Sequence, residues 1–459
     1  MTGPVSGILM RMNRRGVIIS GALAVAGASS VRAGEAVSAF GLDAAQFGVN
    51  AGSSADQTTA LRRAIDEAAK TRVPLALAPG VYRVSGLRLP SGAQIRGVRG
   101  ATRLLLAGGQ PLIESSRTEN ISLTGLVFDG AGTALPQGRG LVHLEAVKGM
   151  RIADCEILNA GGTAVQLFAA EGQIVASRFT NATVAAIHSL DAAGLLIARN
   201  TITGMGDNGI LIWRDRAGDD GSIVTENRIE NIANRSGGSG QYGNAINVFR
   251  AGGVIVRGNR IRDCAFTAVR GNAASNIMIE GNTVIDVKEV AFYAEFGYEG
   301  ALIANNIVDG AAIGVSVTNF NEGGRLGAVH GNLIRNLRNA RPAGTDPGDG
   351  AGIGISVEAD SAVSGNVVEN APFAGITLGF GRYLRDCSAT GNVIRASSIG
   401  IGVSVAPGAG SALIADNIIS GAARGAIIGL DRKTIVTGDL IKEGAARYPM
   451  LTLSGNRAG

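Results

Sequence analysis

Gly258-Asn259-Arg260-Ile261, Gly281-Asn282-Thr283-Val284, Asn305-Asn306-Ile307-Val308 and Gly331-Asn332-Leu333-Ile334 are one phrase returning through the second half of the chain. It starts as Arg199-Asn200-Thr201-Ile202 and Glu226-Asn227-Arg228-Ile229. It runs on through Gly365-Asn366-Val367-Val368 and Gly391-Asn392-Val393-Ile394 to Asp416-Asn417-Ile418-Ile419. The Asn residues are spaced by 27, 32, 23, 24, 26, 34, 26 and 25 positions. That base period is too short for helical-pair repeats, and the leucine-rich signature is missing. Each Asn is followed by a β-branched or apolar residue and, several residues later, by a second short strand such as Gly314-Val315-Ser316-Val317. Short strands at fixed spacing, punctuated by Gly and Asn, predict one coil of a parallel β-helix per repeat. Asn suits the sharp turn because it tolerates the left-handed backbone region, and Asn side chains stacked in register can hydrogen-bond from coil to coil. The predicted fold is all-β: a right-handed, single-stranded parallel β-helix of about 12 coils.

The segment ahead of the repeats reads differently. Asp56 is placed as the N-cap of a helix over about 57–70, with Leu61, Ile65, Ala68 and Ala69 on one face. Strands are expected at Pro74–Leu77, Gly80–Val84 and Gln94–Gly97. An amphipathic helix there would cover the apolar end of the solenoid. The stretch from Phe47 to Gly97, with Pro79-Gly80-Val81-Tyr82 as its most telling phrase, resembles the entry of pectin-lyase-like β-helix proteins, a superfamily of polygalacturonases, lyases, epimerases and phage tailspikes. Together with the leader, the repeats also resemble a family of twin-arginine-translocated repetitive proteins of unassigned activity. The resemblance implies the fold over roughly residues 40–459 and leaves the reaction open, because one fold hosts many chemistries.

The leader is Asn13-Arg14-Arg15-Gly16-Val17, then a moderately apolar stretch to about Ala28, then Val31-Arg32-Ala33 at the usual cleavage positions. Paired arginines before a Gly- and Ala-rich segment look like a twin-arginine signal over residues 1–33, which implies export to the periplasm or the cell exterior. Residues 34–459 are then one domain, with the capping helix and first coils over about 40–100 and the repeat coils over about 101–459. The leader holds Arg11, Arg14, Arg15 and Arg32 and no acid. Without it Lys+Arg drops from 42 to 38 against 37 acidic residues, so the net charge of +5 shrinks to near +1. No nucleic-acid partner is indicated, and no later segment is long and apolar enough to span a membrane. Cys155, Cys264 and Cys387 fall at different places in the repeat and read as buried small residues.

Strand alternation gives a face. Aligning 164–168, 186–190, 209–213, 245–249, 268–272, 291–295, 314–318, 354–358, 375–379 and 402–406 sends positions two and four inward and positions three and five outward. Position three reads Gln166, His188, Leu211, Asn247, Arg270, Tyr293, Ser316, Ser356, Thr377, Ser404; position five reads Phe168, Leu190, Trp213, Phe249, Asn272, Glu295, Thr318, Glu358, Gly379, Ala406. His143 and Glu145 precede them on an earlier coil. Insertions at Arg214–Gly221, Ile232–Gly243, Asn319–Gly327 and Leu337–Gly352 flank the same coils. The pattern predicts a groove across six coils, about 29 Å at about 4.8 Å per coil. Trp213, Phe249, Asn247 and Asn272 are the expected substrate-binding residues, since aromatic platforms with polar neighbours suit a polysaccharide.

For hydrolysis two carboxylates must lie roughly 5 to 9.5 Å apart. Glu295 and Glu358, two coils apart at about 9.6 Å, are the candidate pair. For β-elimination of a uronate, Arg270 would neutralise the substrate carboxylate while Tyr293 or His188 moves the proton. No cofactor is expected, with Ca²⁺ at Asp215, Asp219 and Asp220 the one alternative. The sequence therefore points to an acidic polysaccharide bound, and cleaved or modified, on the outer face of one sheet. A non-catalytic glycan-binding or envelope repeat protein is the alternative.

Overall fold

The computed structural model describes residues 41–346 and 348–459, so the leader lies outside the described residues. Nearly every element is a strand of two to six residues, and the strands form three parallel sheets of 16, 15 and 15. Sheet I begins at Leu42–Asp43, sheet II at Gly80–Val84 and sheet III at Leu87–Arg88; each coil passes through I, II and III in turn. Each strand therefore pairs with its equivalents one coil before and after. The solenoid is a few coils longer than predicted because its first and last coils lack the Asn phrase that was counted.

The corner from sheet I to sheet II carries the repeat. Asn282 Oδ1 accepts the backbone N–H of Asn259 at 2.9 Å and its amide N–H at 3.0 Å, while Asn282 Nδ2 donates to Val256 O and Asn306 Oδ1, each at 3.0 Å. The same pattern links Asn200, Asn227, Asn259, Asn282, Asn306, Asn332, Asn366, Asn392 and Asn417 and ends on Asn456. Before Asn200 the ladder is carried by Ser177 and Cys155. The left-handed turn expected of the Asn belongs instead to the residue before it: Arg199, Glu226, Gly258, Gly281, Asn305 and Gly331 have φ of 55–65°. The split has a physical reason. A side chain that must point inward to bond both neighbouring coils needs its own backbone extended, so its predecessor makes the bend.

Helix α1 (Thr58–Thr71) buries Leu61, Ala64, Ile65 and Ala68 against the first coils. Gln57 is the N-cap; Asp56, expected there, stands one residue earlier and still accepts the Thr58 N–H at 2.7 Å. At the other end Gly425–Asp431 and Thr434–Asp439 form the one antiparallel pair among the described strands, and a four-residue helix, Leu440–Glu443, follows. The interior is filled by the in-facing residues, including Phe128, Phe179, Phe292 and Tyr298. All three cysteines are buried and unpaired, at three different places in the coil. No described helix is long and apolar enough to cross a membrane.

Candidate functional site: the outer face of sheet III

The register of sheet III places the two outward columns. Val165, Ile187, Ile210, Ile246, Val269, Phe292, Val315, Ile355 and Ile376 align as position two, inward as the alternation requires. The last strand, expected at 402–406, sits in a different register. Thr377 pairs with Gly402 and Leu378 with Val403, so the last strand begins at 400 rather than 402. A slip of two residues is one full period, which keeps every side chain on its expected face but moves Ser404 to position five.

The open groove predicted across the middle coils is not there. Leu211, Asn247, Glu295 and Glu358 point outward yet are buried. Two insertions fold over the sheet from the II–III corner. The first, 233–243, lays Gly240 O on Arg270 Nη1 at 2.9 Å. A Cβ on Gly240 (φ 144°) would stand 2.1 Å from that nitrogen, so only glycine lets the loop approach. The second, 336–352, brings Arg341 Nη1 to Glu289 Oε1 at 3.0 Å and to Asp349 Oδ2 at 3.1 Å. The insertion expected at Arg214–Gly221 is mostly strand: Asn208–Asp219 runs on through it and pairs through Gly218 and Asp219 with Ala251 and Gly252.

Under these loops the candidate residues meet one another. Arg270 grips Glu295 with two bonds, Nε to Oε1 at 2.6 Å and Nη2 to Oε2 at 2.8 Å, and reaches Glu289 Oε2 at 3.3 Å. Asn272 Nδ2 donates to Glu295 at 2.9 Å, and Thr267 to Glu289 at 2.6 Å. Burial pushes the Glu295 carboxyl upward against the opposing pull of Arg270, and the flanking carboxylates hold the guanidinium charged. Tyr293 lies 5.1 Å beneath the guanidinium, with its hydroxyl driven well above its ordinary value by burial. Arg270, Tyr293, Glu295 and Asn272 therefore converge, but as a desolvated ion cluster whose charges face each other. Glu289 and Arg341 were missed by the sequence reading because both sit at strand ends and loops outside the aligned five positions.

Three coils earlier His188 meets the edge of Trp213 at 4.9 Å, and Trp213 meets Phe249 at 5.8 Å. His188 Nε2, Trp213 Nε1 and Asn247 Oδ1 are buried and without hydrogen-bond partners. Burial pushes the His188 pKa down to about 4, which keeps the ring neutral. Glu358 stands apart from Glu295. It accepts the Phe320 N–H at 2.7 Å from the loop after sheet III strand Ile313–Val317, has no cationic partner, and is raised by burial to about 7. Asp215, Asp219 and Asp220 do not gather: among the described residues no group of three or more acidic, His or Cys side chains could hold a metal ion.

What is open lies at the start of the same columns. A cleft of about 700 Å³ is lined by Arg88, Glu114, Ser116, Arg139, His143 and Glu145, with Asp66 from α1 at its edge. Arg88 pairs in register with Glu114, Glu114 with His143 and His143 with Gln166; Ser116 pairs with Glu145 and Glu145 with Phe168. These are positions three and five carried back by three coils. His143 Nδ1 is buried without a partner, and burial, then Arg139, lowers its pKa. Arg88 Nε stands 3.9 Å from Glu114 Oε2. Phe168, one coil on, exposes 41% of its surface. The signal that could have found Arg88 and Glu114 is the period of two in Ile113-Glu114-Ser115-Ser116, which matches His143 and Glu145 once the register is known.

A comparison with curated protein sequences finds no match. Among solved structures, the N-terminal fragment of gene product 12 of bacteriophage phi29 aligns over 92% of this chain and 71% of its own, at a TM-score of 0.53 and 14% identity. The pre-mature form of that gene product aligns over 92% of this chain and 57% of its own, with a TM-score of 0.52 and 15% identity. The A-module of a mannuronan C-5 epimerase from Azotobacter vinelandii aligns over 91% and 99%, with a TM-score of 0.39 and 14% identity. Identities this low speak to architecture alone. The family profile described as "Right handed beta helix region" matches residues 140–336 and, overlapping, 217–394, more than half of the chain. The coil-by-coil pairing and this match agree: the chain belongs to the right-handed β-helix family.

Proposed function

We propose that this protein is an exported β-helix that binds a carboxylate-bearing polysaccharide on the outer face of sheet III, seated in the cleft from Arg88 to Glu145 with Phe168 one coil beyond it. The cleft itself carries the proposal. It lies on the first coils of the two outward columns, ahead of the coils that carry the 233–243 and 336–352 insertions, and it is lined by groups of the right kinds. Arg88 and Arg139 offer forked donors for uronate carboxylates. Phe168 offers an exposed ring on which a sugar can stack, one coil beyond His143 and Glu145.

Titration calorimetry against uronate oligosaccharides tests this. Arg139→Ala and Phe168→Ala are each expected to weaken binding at least about tenfold, the effect of losing one charged or stacked contact. Failure of the whole panel to bind, or affinity untouched by both substitutions, would overturn it. Export is tested by fusing residues 1–40 to a reporter, whose translocation should stop when Arg14 and Arg15 are both changed to Lys.

One observation favours cleavage as a second reading. Glu114 and Glu145 lie on adjacent coils two positions apart. At about 4.8 Å between strands and about 6.6 Å along them, that is about 8 Å, inside the roughly 6.5–9.5 Å of inverting glycosidases. New reducing ends that vanish in Glu114→Gln and in Glu145→Gln would support it; binding without turnover leaves a glycan-binding protein.

A further inference from the structure

Sheet II carries a surface with no role in the reading above. Of the fourteen large hydrophobic side chains exposed among the described residues, five stand in one column of this sheet. Ile307 pairs with Leu333, Leu333 with Val367, Val367 with Val393 and Val393 with Ile418, on five consecutive coils. Each exposes 39–50% of its surface. They form a stripe about 19 Å long, bounded in register by Thr283 on one side and Arg457 on the other. Single exposed aliphatics need no explanation, but a contiguous row does.

The column beside the stripe is charged, and its order matters. Two positions on along each strand stand Asp309, Arg335, Glu369 and Arg395, alternating in sign over four coils. Within the chain Arg335 bonds Asp309 at 2.8 Å and Arg395 approaches Glu369 at 3.8 Å, whereas the middle step from Arg335 to Glu369 has no bridge. A two-fold axis lying in the surface, parallel to the strands and between the coils of Leu333 and Val367, reverses the coil order and keeps each column opposite itself. Leu333 then faces Val367 of the second copy, and Ile307 faces Val393. In the charged column the same operation sets Asp309 opposite Arg395 and Arg335 opposite Glu369. Every acid meets a base. An axis along the solenoid keeps every coil opposite its own equivalent: laid over the stripe it leaves the charged columns apart, and laid over the charged column it sets Arg335 against Arg335 and Glu369 against Glu369. The surface is thus self-complementary under one particular two-fold.

We propose that two copies of this chain associate through sheet II, antiparallel, with Ile307, Leu333, Val367 and Val393 as the apolar core of the interface, Ile418 at its edge opposite Thr283, and the Asp309–Arg395 column as its charged rim. The cleft lies on another sheet and on coils well before the stripe, so both clefts stay outside the contact. An antiparallel pair would hold one cleft toward each end of the dimer, which suits a long polymer bound at two points.

Sedimentation equilibrium and light scattering of the purified exported chain, across low to high micromolar concentration, test this. A monomer–dimer equilibrium is expected. Val367→Lys should raise the dimer dissociation constant at least tenfold, with the far-ultraviolet dichroism of the parent. Arg335→Glu and Glu369→Arg should each weaken the dimer, because each sets like charges across the axis. The double change separates the two explanations of the alternating column. With Arg335→Glu and Glu369→Arg together, the in-chain order becomes two acids followed by two bases, and the in-chain pairs are lost. Across the axis every acid still faces a base, so the dimer should return toward parental strength. A parent that stays monomeric, a dimer indifferent to Val367→Lys, an open-ended series of larger species, or a double variant weaker than both single ones would each overturn the proposal.

Discussion

Arg270→Met decides whether the cluster beneath the two loops is a clamp or a set of available catalytic groups. The guanidinium makes two bonds to Glu295, one to Glu289 and one to Gly240 O. Side-chain exposure is 11% for Arg270 and 2–3% for the two carboxylates, so neither side of the pair has water to fall back on. Removing the cation leaves Glu295 with Asn272 as its one side-chain partner, and takes from the 233–243 loop its bond to Arg270, leaving Ser236 on Asp207 and Gly240 O with Asn244 Nδ2. Taking one partner from a buried pair costs about 3–5 kcal/mol, against about 0–1 for an exposed one. The half-exposed Arg99–Asp154 bridge is a control on the same fold, and Arg99→Met should cost less than about 1 kcal/mol. Arg270→Met with Glu295→Met removes both charges for similar volume, and should recover most of the loss, a coupling of at least about 2 kcal/mol. Urea unfolding can be followed by the chain's one tryptophan, Trp213, which faces Phe249 on the coil before Asn272. A long solenoid need not unfold in one step, so amide exchange over 233–243 should be read alongside. A single-variant loss below about 1 kcal/mol, with that loop still protected, would refute the clamp and return Glu295 and Arg270 to the list of groups free for chemistry.

Two further outcomes follow from the geometry. Asn282→Ala strips a buried side chain that bonds both neighbouring coils and should cost about 2–4 kcal/mol, more than Asn456→Ala at the half-exposed end of the ladder; equal losses in thermal unfolding would argue against coil-to-coil stacking as the source. Glu358 is raised from 4.5 to about 7 in the fold, so the folded state favours its protonated form: its contribution is fully present below about pH 4.5 and is lost as pH rises through about 7. Glu358→Gln should flatten the fall in melting temperature over that window and stabilise the protein at pH 8; an unchanged profile would place the titration elsewhere.

The sequence alone determined the coil. Its period, the Asn ladder, the inward side of each strand and the capping helix were all legible, because in a solenoid each coil meets only its neighbours and the same local answer repeats. Even the slip at Gly402 kept the faces right, since a period of two forgives a shift of two. What the tertiary structure decided was which part of the face is open. Arg341 reaches Glu289 across 52 residues and Gly240 reaches Arg270 across 30, contacts set by how two insertions fold back rather than by any period. Those contacts bury Glu295, Arg270 and Tyr293, the residues that alternation alone had marked as the working surface. They leave Arg88, Glu114 and Glu145 lining an open cleft on the first coils, where no Asn phrase marked the register. Repetition can be read from one coil. Access cannot, because it depends on the few segments that do not repeat.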